Sequence, residues 1–485
     1  MMPEAEQFVR EAAEIIGRFP QRAVTADSRK VAPGDIFVAV SGVNFDGKAF
    51  IPDAAARGAG VVIYSGVLDE RLPGVEYVAV SDSRKIVSYL YRALYGEPDN
   101  AVKLYTVTGT NGKTTSAYLL NFFLRNAGIP CGLFSTVEYR DGKDIIPATH
   151  TTPDAGQFFR LLARMKENGL HAAAMESSSH ALAQNRLDAA CIRGAIFTNL
   201  TGDHLDFHLT MENYFAAKVR LFTELLVPGG TAAINIDDPY GRELAMLLGG
   251  VGTVASFGTA PDAVYRITDM ESTPSGVSFN LKHNDTVLPV KSCLFGAYNI
   301  HNLAGVLTLL WAEGFAPEKL SECAELPFQV PGRLEKVETA FPARFFVDFA
   351  HTDDALRNVL STVKPFAKGK LWVVFGAGGD RDKSKRPRMG QAAAEYADVI
   401  VVTSDNPRSE APEAIIADIV SGIPQGTAFH TEVDRKTALL YALNHAGDDD
   451  VVIVAGKGHE NYQEIAGVKH HFSDREVLEN AGKTV

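Results

Sequence analysis

The sequence lacks the features that mark secreted, membrane-spanning and disulfide-stabilised proteins. Only 4 cysteines occur among 485 residues, and no two of them form a CxxC pair. Because zinc sites and disulfide frameworks need closely spaced ligands or paired cysteines, we expect reduced and mostly buried thiols. The N-terminal stretch MMPEAEQFVREAAEII has neither a basic region nor an apolar core, and no apolar run is long enough to span a bilayer. We therefore expect a cytoplasmic protein without a signal peptide or a membrane span.

Basic residues are also in the minority. The chain has 47 Lys and Arg against 59 Asp and Glu, which gives a formal net charge of −12. Because nucleic acids and anionic membranes attract basic surfaces, this balance argues against either as the main partner. Repeats and low-complexity tracts are missing as well. An anionic ligand must therefore be held by local groups rather than by the overall field.

Short apolar runs alternate with helical patterns along the chain, which predicts an α/β fold with parallel sheets. We expect three domains, over residues 1–100, 101–330 and 331–485, with GEPDN (96–100) as a linker and an antiparallel section near 260–295. In the last two blocks, polar side chains crowd at the carboxyl ends of the apolar runs. Ligands bind at that edge of parallel sheets, so the sequence predicts a site in an interdomain cleft.

The strongest single motif is TGTNGKTT, which follows a predicted strand and opens a predicted helix. Small residues let backbone N–H groups approach phosphate oxygens, and a lysine after them can reach the β and γ phosphates. The usual phosphate loop has glycine where this chain has Val107, so the motif is a variant; an ordinary strand–helix turn is the alternative. The predicted ATP-binding residues are Gly109, Thr110, Asn111, Gly112, Lys113, Thr114 and Thr115, with Thr114 placed to bind Mg²⁺.

Three further residues are candidates for metal chemistry. Glu176 ends the predicted strand AAAMES, and His204 follows the predicted strand GAIFTNL. A carboxylate and an imidazole at neighbouring strand ends could bind a divalent cation near the γ phosphate, although each alone could be a hydrogen-bonded loop residue. Lys218 lies on a helix with an apolar face, and its spacing favours a solvated or snorkelling lysine.

Polar clusters also end the predicted strands of the third block. They contain His351 and Asp348, and further on Arg381, Asp405, Asn406, Arg408 and Glu460. A guanidinium suits a carboxylate, and acidic or amide groups suit an ammonium, so the set is typical of a site for a zwitterion. A polar rim of loop salt bridges is the alternative.

Taken together, TGTNGKTT, TTPD, ESSSH, GRLE, DNPR and GKGHE resemble the Mur ligase family, in the same order and over nearly the whole chain. The resemblance implies a three-domain architecture, in which an N-terminal UDP-binding domain precedes a central P-loop-type ATPase domain and a Rossmann-like, amino-acid-binding C-terminal domain. It implies an ATP-dependent ligase of peptidoglycan synthesis, which serves cell shape and division. ATP and Mg²⁺ are the implied cofactors, and a monomer is expected.

The resemblance also implies roles for individual residues. Lys218 matches a lysine that CO₂ converts to a carbamate, and catalytic roles are implied for Lys113, Glu176, His204 and Lys218. The implied metal ligands are Thr114, Glu176, His204 and Lys218. Further nucleotide contacts are implied for Asn302, Arg333 and His351. The implied UDP-sugar residues are Ser28, Thr151, Thr152, Ser178, Gln184 and Arg186, and those for diaminopimelate are Arg381, Asp405, Asn406, Arg408, Gly456 and Glu460.

The implied reaction joins meso-2,6-diaminopimelate to UDP-N-acetylmuramoyl-L-alanyl-D-glutamate through an acyl phosphate. In the family DNPR goes with diaminopimelate, and Arg408 would bind the carboxylate that L-lysine lacks. A sister ligase that adds L-lysine, or a non-catalytic ATP-gated binding protein, is the alternative. The chain departs from the family at Phe349, at Asp353 and in VNFD (43–46).

Overall fold

The computed structural model describes residues 3–20, 22–41, 46–249, 253–273 and 275–482. Most of the VNFD departure, residues 43–45, lies outside these ranges. The helices are α1 (Pro3–Arg18), α2 (Ile51–Ala56), α3 (Ile86–Leu94), α4 (Lys113–Asn126), α5 (Ala155–Glu167), α6 (Ser179–Ala183), α7 (Leu205–His208), α8 (Met211–Arg220), α9 (Pro239–Leu247), α10 (Tyr298–Ala312), α11 (Pro317–Ala324), α12 (Asp353–Val363), α13 (Lys385–Tyr396), α14 (Pro412–Val420), α15 (Arg435–His445) and α16 (Asp474–Asn480).

The strands alternate with these helices. They are β1 (Val24–Thr25), β2 (Ile36–Val38), β3 (Val61–Ser65), β4 (Glu76–Val80), β5 (Lys103–Thr108), β6 (Cys131–Phe134), β7 (Glu138–Arg140), β8 (Ile145–Pro147), β9 (Ala172–Glu176), β10 (Ile192–Phe197), β11 (Leu226–Asn235), β12 (Thr253–Gly258), β13 (Tyr265–Thr273), β14 (Gly276–His283), β15 (Thr286–Ser292), β16 (Glu335–Val337), β17 (Arg344–Asp348), β18 (Leu371–Phe375), β19 (Val399–Thr403), β20 (Phe429–Glu432), β21 (Val451–Ala455), β22 (Tyr462–Ile465) and β23 (Val468–His471). The predicted α/β class is confirmed.

The largest sheet has 11 strands in the order β15-β14-β13-β12-β11-β10-β5-β9-β6-β7-β8. Its central strands, from β6 to β13 in space, pair in parallel. The section from β13 to β15 pairs antiparallel, as the alternation near 260–295 predicts. In this register Val107 pairs with Glu176, and Thr108 pairs with Phe197. The carboxyl ends of β9, β5 and β10 therefore lie side by side.

The third block forms a sheet of 6 strands in the order β16-β17-β21-β18-β19-β20. All its pairs are parallel except β16 with β17. Asp348 pairs with Ala455, so the loops after β17 and β21 leave the sheet together. A short antiparallel hairpin, β22–β23, follows β21. Neither this hairpin nor the β7–β8 extension is predicted by the sequence pattern.

The first block forms a parallel sheet of 4 strands that shares a hydrophobic core with the middle sheet. This core joins Phe8 of α1 and Leu90 of α3 to Leu162 of α5 and Phe197 of β10. The predicted linker 96–100 is part of the junction, since Asp99 accepts hydrogen bonds from Arg92 Nε at 2.9 Å and from the Cys191 amide at 3.0 Å. The segment is therefore a fixed connection rather than a free linker, while the predicted domain limits stay predictions.

The four cysteines are unpaired. Cys131 and Cys323 are buried, Cys191 is half-buried and Cys293 is exposed, so the expectation of mostly buried thiols holds for two of them. Within the described ranges, no helix is both long and apolar enough to cross a bilayer.

A buried ion pair ties the C-terminal sheet to α16. Arg435 and Asp474 are both fully buried, and Nε of Arg435 lies 2.8 Å from Oδ1 of Asp474. Arg435 Nη2 also donates to the Ala455 carbonyl at 2.9 Å, at the end of β21. The pair therefore supports the strand end from which the polar loop 456–460 leaves.

We expect Asp474→Ala to lower the free energy of unfolding of the C-terminal sheet by about 3–5 kcal/mol, because it leaves the guanidinium buried without a counter-ion. Hydrogen exchange of the β21 amides measures this change. The exposed pair of Lys336 and Glu338 supplies the control, since Lys336→Ala should cost less than about 1 kcal/mol. Equal effects of the two variants would contradict the structural role of the buried pair.

Candidate active site

The phosphate loop, residues 109–112, joins β5 to α4. Gly109 has φ +151° and Gly112 has φ +85°, and a Cβ at either position would collide with Thr198 or Asn302. Valine is compatible with position 107 because this residue is part of β5. Its carbonyl accepts a hydrogen bond from the Ser177 amide at 2.9 Å, which continues the pairing of the sheet. The loop thus needs glycine at two positions, but not at 107.

Lys113 follows this loop and turns back onto it. Its Nζ donates to the carbonyl oxygens of Gly109 at 3.0 Å and Thr110 at 2.8 Å. Burial lowers the pKa of Lys113, and Arg333 adds to this, while Glu176 and Asp203 oppose it. The N-terminus of α4 presents free backbone N–H groups at the same place. The loop, its lysine and the helix end can together hold a phosphate chain.

The Glu176 carboxylate is fully buried beside the loop. It accepts hydrogen bonds from Thr136 N at 2.7 Å, from Thr114 Oγ1 at 3.0 Å and from Thr136 Oγ1 at 3.2 Å. Arg333 Nη2, from the C-terminal block, donates to the same Thr114 Oγ1 at 2.8 Å. A carboxylate and a hydroxyl held together suit a hard divalent cation, which prefers oxygen ligands.

Lys218 is buried beside the phosphate loop. It is 1% exposed, its Nζ donates to the Gly109 carbonyl at 2.8 Å, and it lies 4.6 Å from the Tyr214 ring centroid. Burial, and then Lys113, hold the pKa of Lys218 well below its usual range, although Asp203 opposes them. The solvated or snorkelling lysine that its spacing favoured is therefore wrong.

His204 lies at the start of α7 with φ +55°. Its Nε2 is 3.4 Å from Asp203 Oδ2, and its ring centroid is 4.7 Å from that of His180. Burial lowers the pKa of His204 to about 3, so the imidazole is neutral and its nitrogen is available as a ligand. Within the described ranges, no three side chains among His, Cys, Asp and Glu form a metal centre by themselves. A cation bound beside these side chains would need further oxygen ligands, such as water or substrate oxygens.

Two nucleotide-side candidates pack against the loop region. Asn302 is buried, fills the space next to Gly112, and its Nδ2 donates to Asn299 Oδ1 at 2.9 Å. The guanidinium carbon of Arg333 lies 4.8 Å from the Phe349 ring centroid. Phe349 thus keeps the aromatic face that a tyrosine would offer at this position.

His351 packs against the Phe349 ring. Its Nδ1 is 2.8 Å from the Phe349 carbonyl, and burial lowers the pKa of His351 to about 4. Asp353 occupies the first turn of α12, where a carboxylate interacts favourably with the helix dipole, and it pairs with Arg357 at 3.2 Å. Both departures from the family are therefore compatible with the local structure.

Five of the six candidate UDP-sugar residues lie together. Thr152 Oγ1 donates to the Glu176 carbonyl at 2.8 Å and to Ser178 Oγ at 3.3 Å. Arg186 donates to the Thr152 carbonyl at 2.9 Å and to Gln184 Oε1 at 2.7 Å. Thr151 accepts from Thr136 Oγ1 at 3.2 Å. Ser28 is separate: it is buried in the N-terminal sheet region.

The candidate amino-acid pocket consists of Arg381, Asp405, Asn406, Arg408, Gly456 and Glu460. Asn406 Nδ2 donates to Glu460 Oε2 at 2.8 Å. Arg408 has φ +52°; its Nη1 donates to the Gly379 carbonyl at 2.6 Å, and its Nε lies 3.4 Å from Glu464 Oε2. The carboxylate of Asp405 fills the space that a side chain at Gly456 would occupy.

One cavity of about 1240 Å³ connects these groups. It is lined by residues of the middle and C-terminal blocks, and it includes every candidate named above except Ser28, Gly109 and Gln184. The phosphate loop and the candidate amino-acid pocket therefore open into the same space.

Several lining or bridging residues are missed by the sequence reasoning. Thr136 holds Glu176, but an isolated threonine carries no motif signal. Asp354 accepts a hydrogen bond from Asn111 Nδ2 at 2.7 Å across the domain boundary, and Lys385 Nζ donates to the His351 carbonyl at 3.0 Å. Asp354 lies in the segment HTDDAL (351–356) and Lys385 in DRDKSK (380–385), but neither segment indicates which of its charged residues faces the cavity.

Three family models match the chain in order. The model described as Mur ligase family, catalytic domain, matches residues 22–91, Mur ligase middle domain matches 107–310, and Mur ligase, glutamate ligase domain, matches 332–458. A Geobacter metallireducens protein named UDP-N-acetylmuramoyl-L-alanyl-D-glutamate–2,6-diaminopimelate ligase is 40% identical, with 93% of this chain and 92% of the relative covered. The chain belongs to the Mur ligase family.

A further relative and two solved structures are also similar to the chain. A Streptomyces coelicolor protein with the same name is 40% identical, with 97% of this chain and 93% of the relative covered. A solved structure of a ligase with that name is 35% identical, has a TM-score of 0.66, and covers 95% of this chain and 94% of its own. Mycobacterium tuberculosis folylpolyglutamate synthase, complexed with ADP and AMPPCP, is 17% identical with a TM-score of 0.63, at 76% and 91% coverage, and shares the fold. The predicted family and three-domain Mur ligase architecture are confirmed, and the protein is an ATP-dependent amide ligase.

Substitution at Gly112 tests the tight fit of the phosphate loop. We expect Gly112→Ala to raise the Kd for ATP about tenfold, since its methyl group collides with Asn302 and overpacking costs about 1–3 kcal/mol. Isothermal titration measures this constant. Gly128→Ala is a matched control, because Gly128 has φ +80° but has nothing within 4 Å of its added Cβ. Equal losses of ATP affinity in both variants would show that only general backbone strain matters.

Proposed function

We propose that this Mur ligase joins meso-2,6-diaminopimelate to UDP-N-acetylmuramoyl-L-alanyl-D-glutamate at the expense of ATP. One observation carries the proposal: a guanidinium and two carboxylates, on Arg408, Asp405 and Glu460, open into the same cavity as the phosphate loop. A zwitterionic amino-acid end fits such a set, because the guanidinium binds a carboxylate and the carboxylates bind an ammonium. The relatives that carry this ligase name support the choice of substrate.

The reaction proceeds in two steps. The terminal carboxylate of the nucleotide substrate attacks the γ phosphate of ATP and gives an acyl phosphate and ADP. The amine of diaminopimelate then attacks the acyl carbon, and phosphate leaves. Lys113 and the N-terminus of α4 stabilise the charge on the phosphoryl oxygens, so catalysis rests on positioning and electrostatics.

The donor set around Thr114 and Glu176 fits Mg²⁺, because both side chains are buried and present oxygen atoms to each other at 3.0 Å. Thr114 and Glu176 would hold one ion, and Glu176, His204 and Lys218 a second. When bound, Mg²⁺ supplies positive charge to the phosphoryl oxygens. Arg333 keeps Thr114 oriented through its hydrogen bond of 2.8 Å.

Lys218 is proposed to act as a carbamate. Only an uncharged amine reacts with CO₂, and burial together with Lys113 holds the pKa of Lys218 far below its usual range. A carbamate would place a carboxylate-like group next to the Lys113 ammonium, which stabilises it. It would also add an oxygen ligand near His204.

The remaining assignments complete the proposal. Asn302, Arg333 and His351 serve the nucleotide side, and Thr151, Thr152, Ser178, Gln184 and Arg186 serve the muramoyl-dipeptide, with Ser28 at the uracil side. A cytoplasmic location and a monomeric state are also part of the proposal. The L-lysine-adding sister ligase and the non-catalytic binding protein are tested by the experiments below.

Amino-acid choice is the decisive test. With ATP, Mg²⁺ and the dipeptide nucleotide, we expect phosphate release and the tripeptide product with meso-diaminopimelate, but not with L-lysine. Product mass identifies the amide. Arg408→Ala should lower kcat/KM for diaminopimelate by about 10- to 100-fold, because a charge-assisted hydrogen bond is worth about 1.5–3 kcal/mol. Arg242→Ala, at an exposed pair with Asp262, is the control and should change nothing.

Turnover with L-lysine in place of diaminopimelate would contradict the role of Arg408. Tight ATP binding without phosphate release, with either amino acid, would support the non-catalytic alternative.

Chemical rescue tests the carbamate. We expect Lys218→Ala to abolish turnover and short carboxylic acids such as acetate to restore part of it, since they can occupy the position of the carbamate. Lys113→Ala is the matched control, because the loss of an ammonium is not repaired by an acid. Carbon-13-labelled CO₂ should also give a carbamate signal in the wild type that Lys218→Ala lacks. Absence of both the rescue and the signal would contradict the carbamate role.

A further inference from the structure

Lys457 is a buried residue whose amine contacts the side chains of the amino-acid pocket. It follows β21 within AGKGHE, is fully buried, and is not among the residues that line the cavity. Its Nζ lies 3.0 Å from Glu460 Oε2, 3.2 Å from Asn406 Oδ1 and 4.0 Å from Asp405 Oδ1. One ammonium thus contacts the three acidic and amide groups of the pocket from the side away from the cavity.

These contacts fix the orientation of the Asn406 amide. Its Oδ1 accepts from Lys457 Nζ and from the Glu464 amide at 2.9 Å, while its Nδ2 donates to Glu460 Oε2 at 2.8 Å. Glu460 Oε2 therefore accepts two hydrogen bonds, from Asn406 Nδ2 and from Lys457 Nζ. Glu460 Oε1 accepts no hydrogen bond from the described residues, so it is available for a ligand.

The charges lead to the same conclusion. Asp405 and Glu460 are both in the cavity wall, and the Asp405 carboxylate accepts no hydrogen bond from the described residues. Two carboxylates in a partly buried site repel each other, and a buried cation between them offsets this repulsion. Asp405, Glu460 and Lys457 together carry one net negative charge. This charge matches the single positive charge of an incoming ammonium group.

We propose that Lys457 is a positioning residue for the amino-acid substrate: it orients Glu460 and Asn406 to receive the ammonium group and does not touch the substrate itself. This inference rests on the proposed function, because it assigns the pocket to an amino acid. It predicts that loss of Lys457 affects the amino-acid site, while the ATP site stays intact.

The test is a double-mutant cycle in the full-length enzyme. Lys457→Met should raise the KM for diaminopimelate about tenfold, the size expected for lost charge-assisted hydrogen bonds, with kcat and the KM for ATP nearly unchanged. Glu460→Gln should give a similar rise. Because Lys457 acts through Glu460, the double variant should show about a tenfold rise rather than about a hundredfold.

A matched control separates this role from support of the neighbouring hairpin. Both Lys457 and Lys469 lie over the Tyr462 ring, at 5.5 Å and 4.1 Å from its centroid, but Lys469 is exposed and is not paired with Asp405 or Glu460. Lys469→Met should leave the KM for diaminopimelate unchanged. A rise equal to that of Lys457→Met, multiplicative effects in the cycle, or a parallel rise in the KM for ATP would overturn the proposal.

A conservative variant covers the case in which Lys457→Met does not fold. Lys457→Gln keeps a hydrogen-bond donor without the charge, so an intermediate KM for diaminopimelate is expected, and a wild-type KM would overturn the proposal. The wild-type assay separates the two levels of inference. If the wild type uses L-lysine, the proposed function fails. The role of Lys457 is then tested by measuring the KM for L-lysine in the same double-mutant cycle, because the ammonium groups of L-lysine need the same acceptors.

Discussion

The hydrogen bond from Arg333 to Thr114 is the contact on which the arrangement of the site depends. It joins the C-terminal block to the first turn of α4, and Thr114 in turn donates to the buried Glu176 carboxylate. A second contact, from Asn111 to Asp354, bridges the same boundary at the phosphate loop. Because these bonds bring the edges of two parallel sheets together, they create the cavity between them. A ligase needs this closeness, since an acyl phosphate exposed to water would be hydrolysed before an amine reached it.

An acidic protein that handles anionic substrates must concentrate positive charge locally. The net charge is −12, and the cavity wall carries both signs: Lys113, Arg333, Lys385 and Arg381 line it beside carboxylates such as Glu176 and Asp203, and the N-terminus of α4 points into it. Interactions within this cavity are screened less than those on the surface, because part of the surrounding water is excluded. The overall charge therefore sets solubility and long-range forces, while a few buried groups decide what is bound.

The sequence predicts the fold well where local rules decide it. Strand–helix alternation and the antiparallel section near 260–295 follow from apolar periodicity, and the TGTNGKTT loop follows from glycine positions. The environment of Lys218 could not be predicted from spacing, because burial of its amine depends on how α8 packs on the phosphate loop, and that packing is tertiary. The fixed segment 96–100 escapes prediction for the same reason, since Asp99 finds its partners Arg92 and Cys191 only in the folded chain.

Three buried or half-buried lysines show how much partners decide the chemistry of one residue type. Lys218 donates to a backbone carbonyl, and burial holds its pKa well below the usual range. Lys113 also bonds two backbone carbonyls, but it faces the open cavity and can exchange them for phosphate oxygens. Lys457 instead has carboxylates beside it, which pair with its side chain and hold it behind the cavity wall. The same side chain thus suits reaction with CO₂, phosphate binding and orientation of neighbouring groups, because each site gives its nitrogen different acceptors.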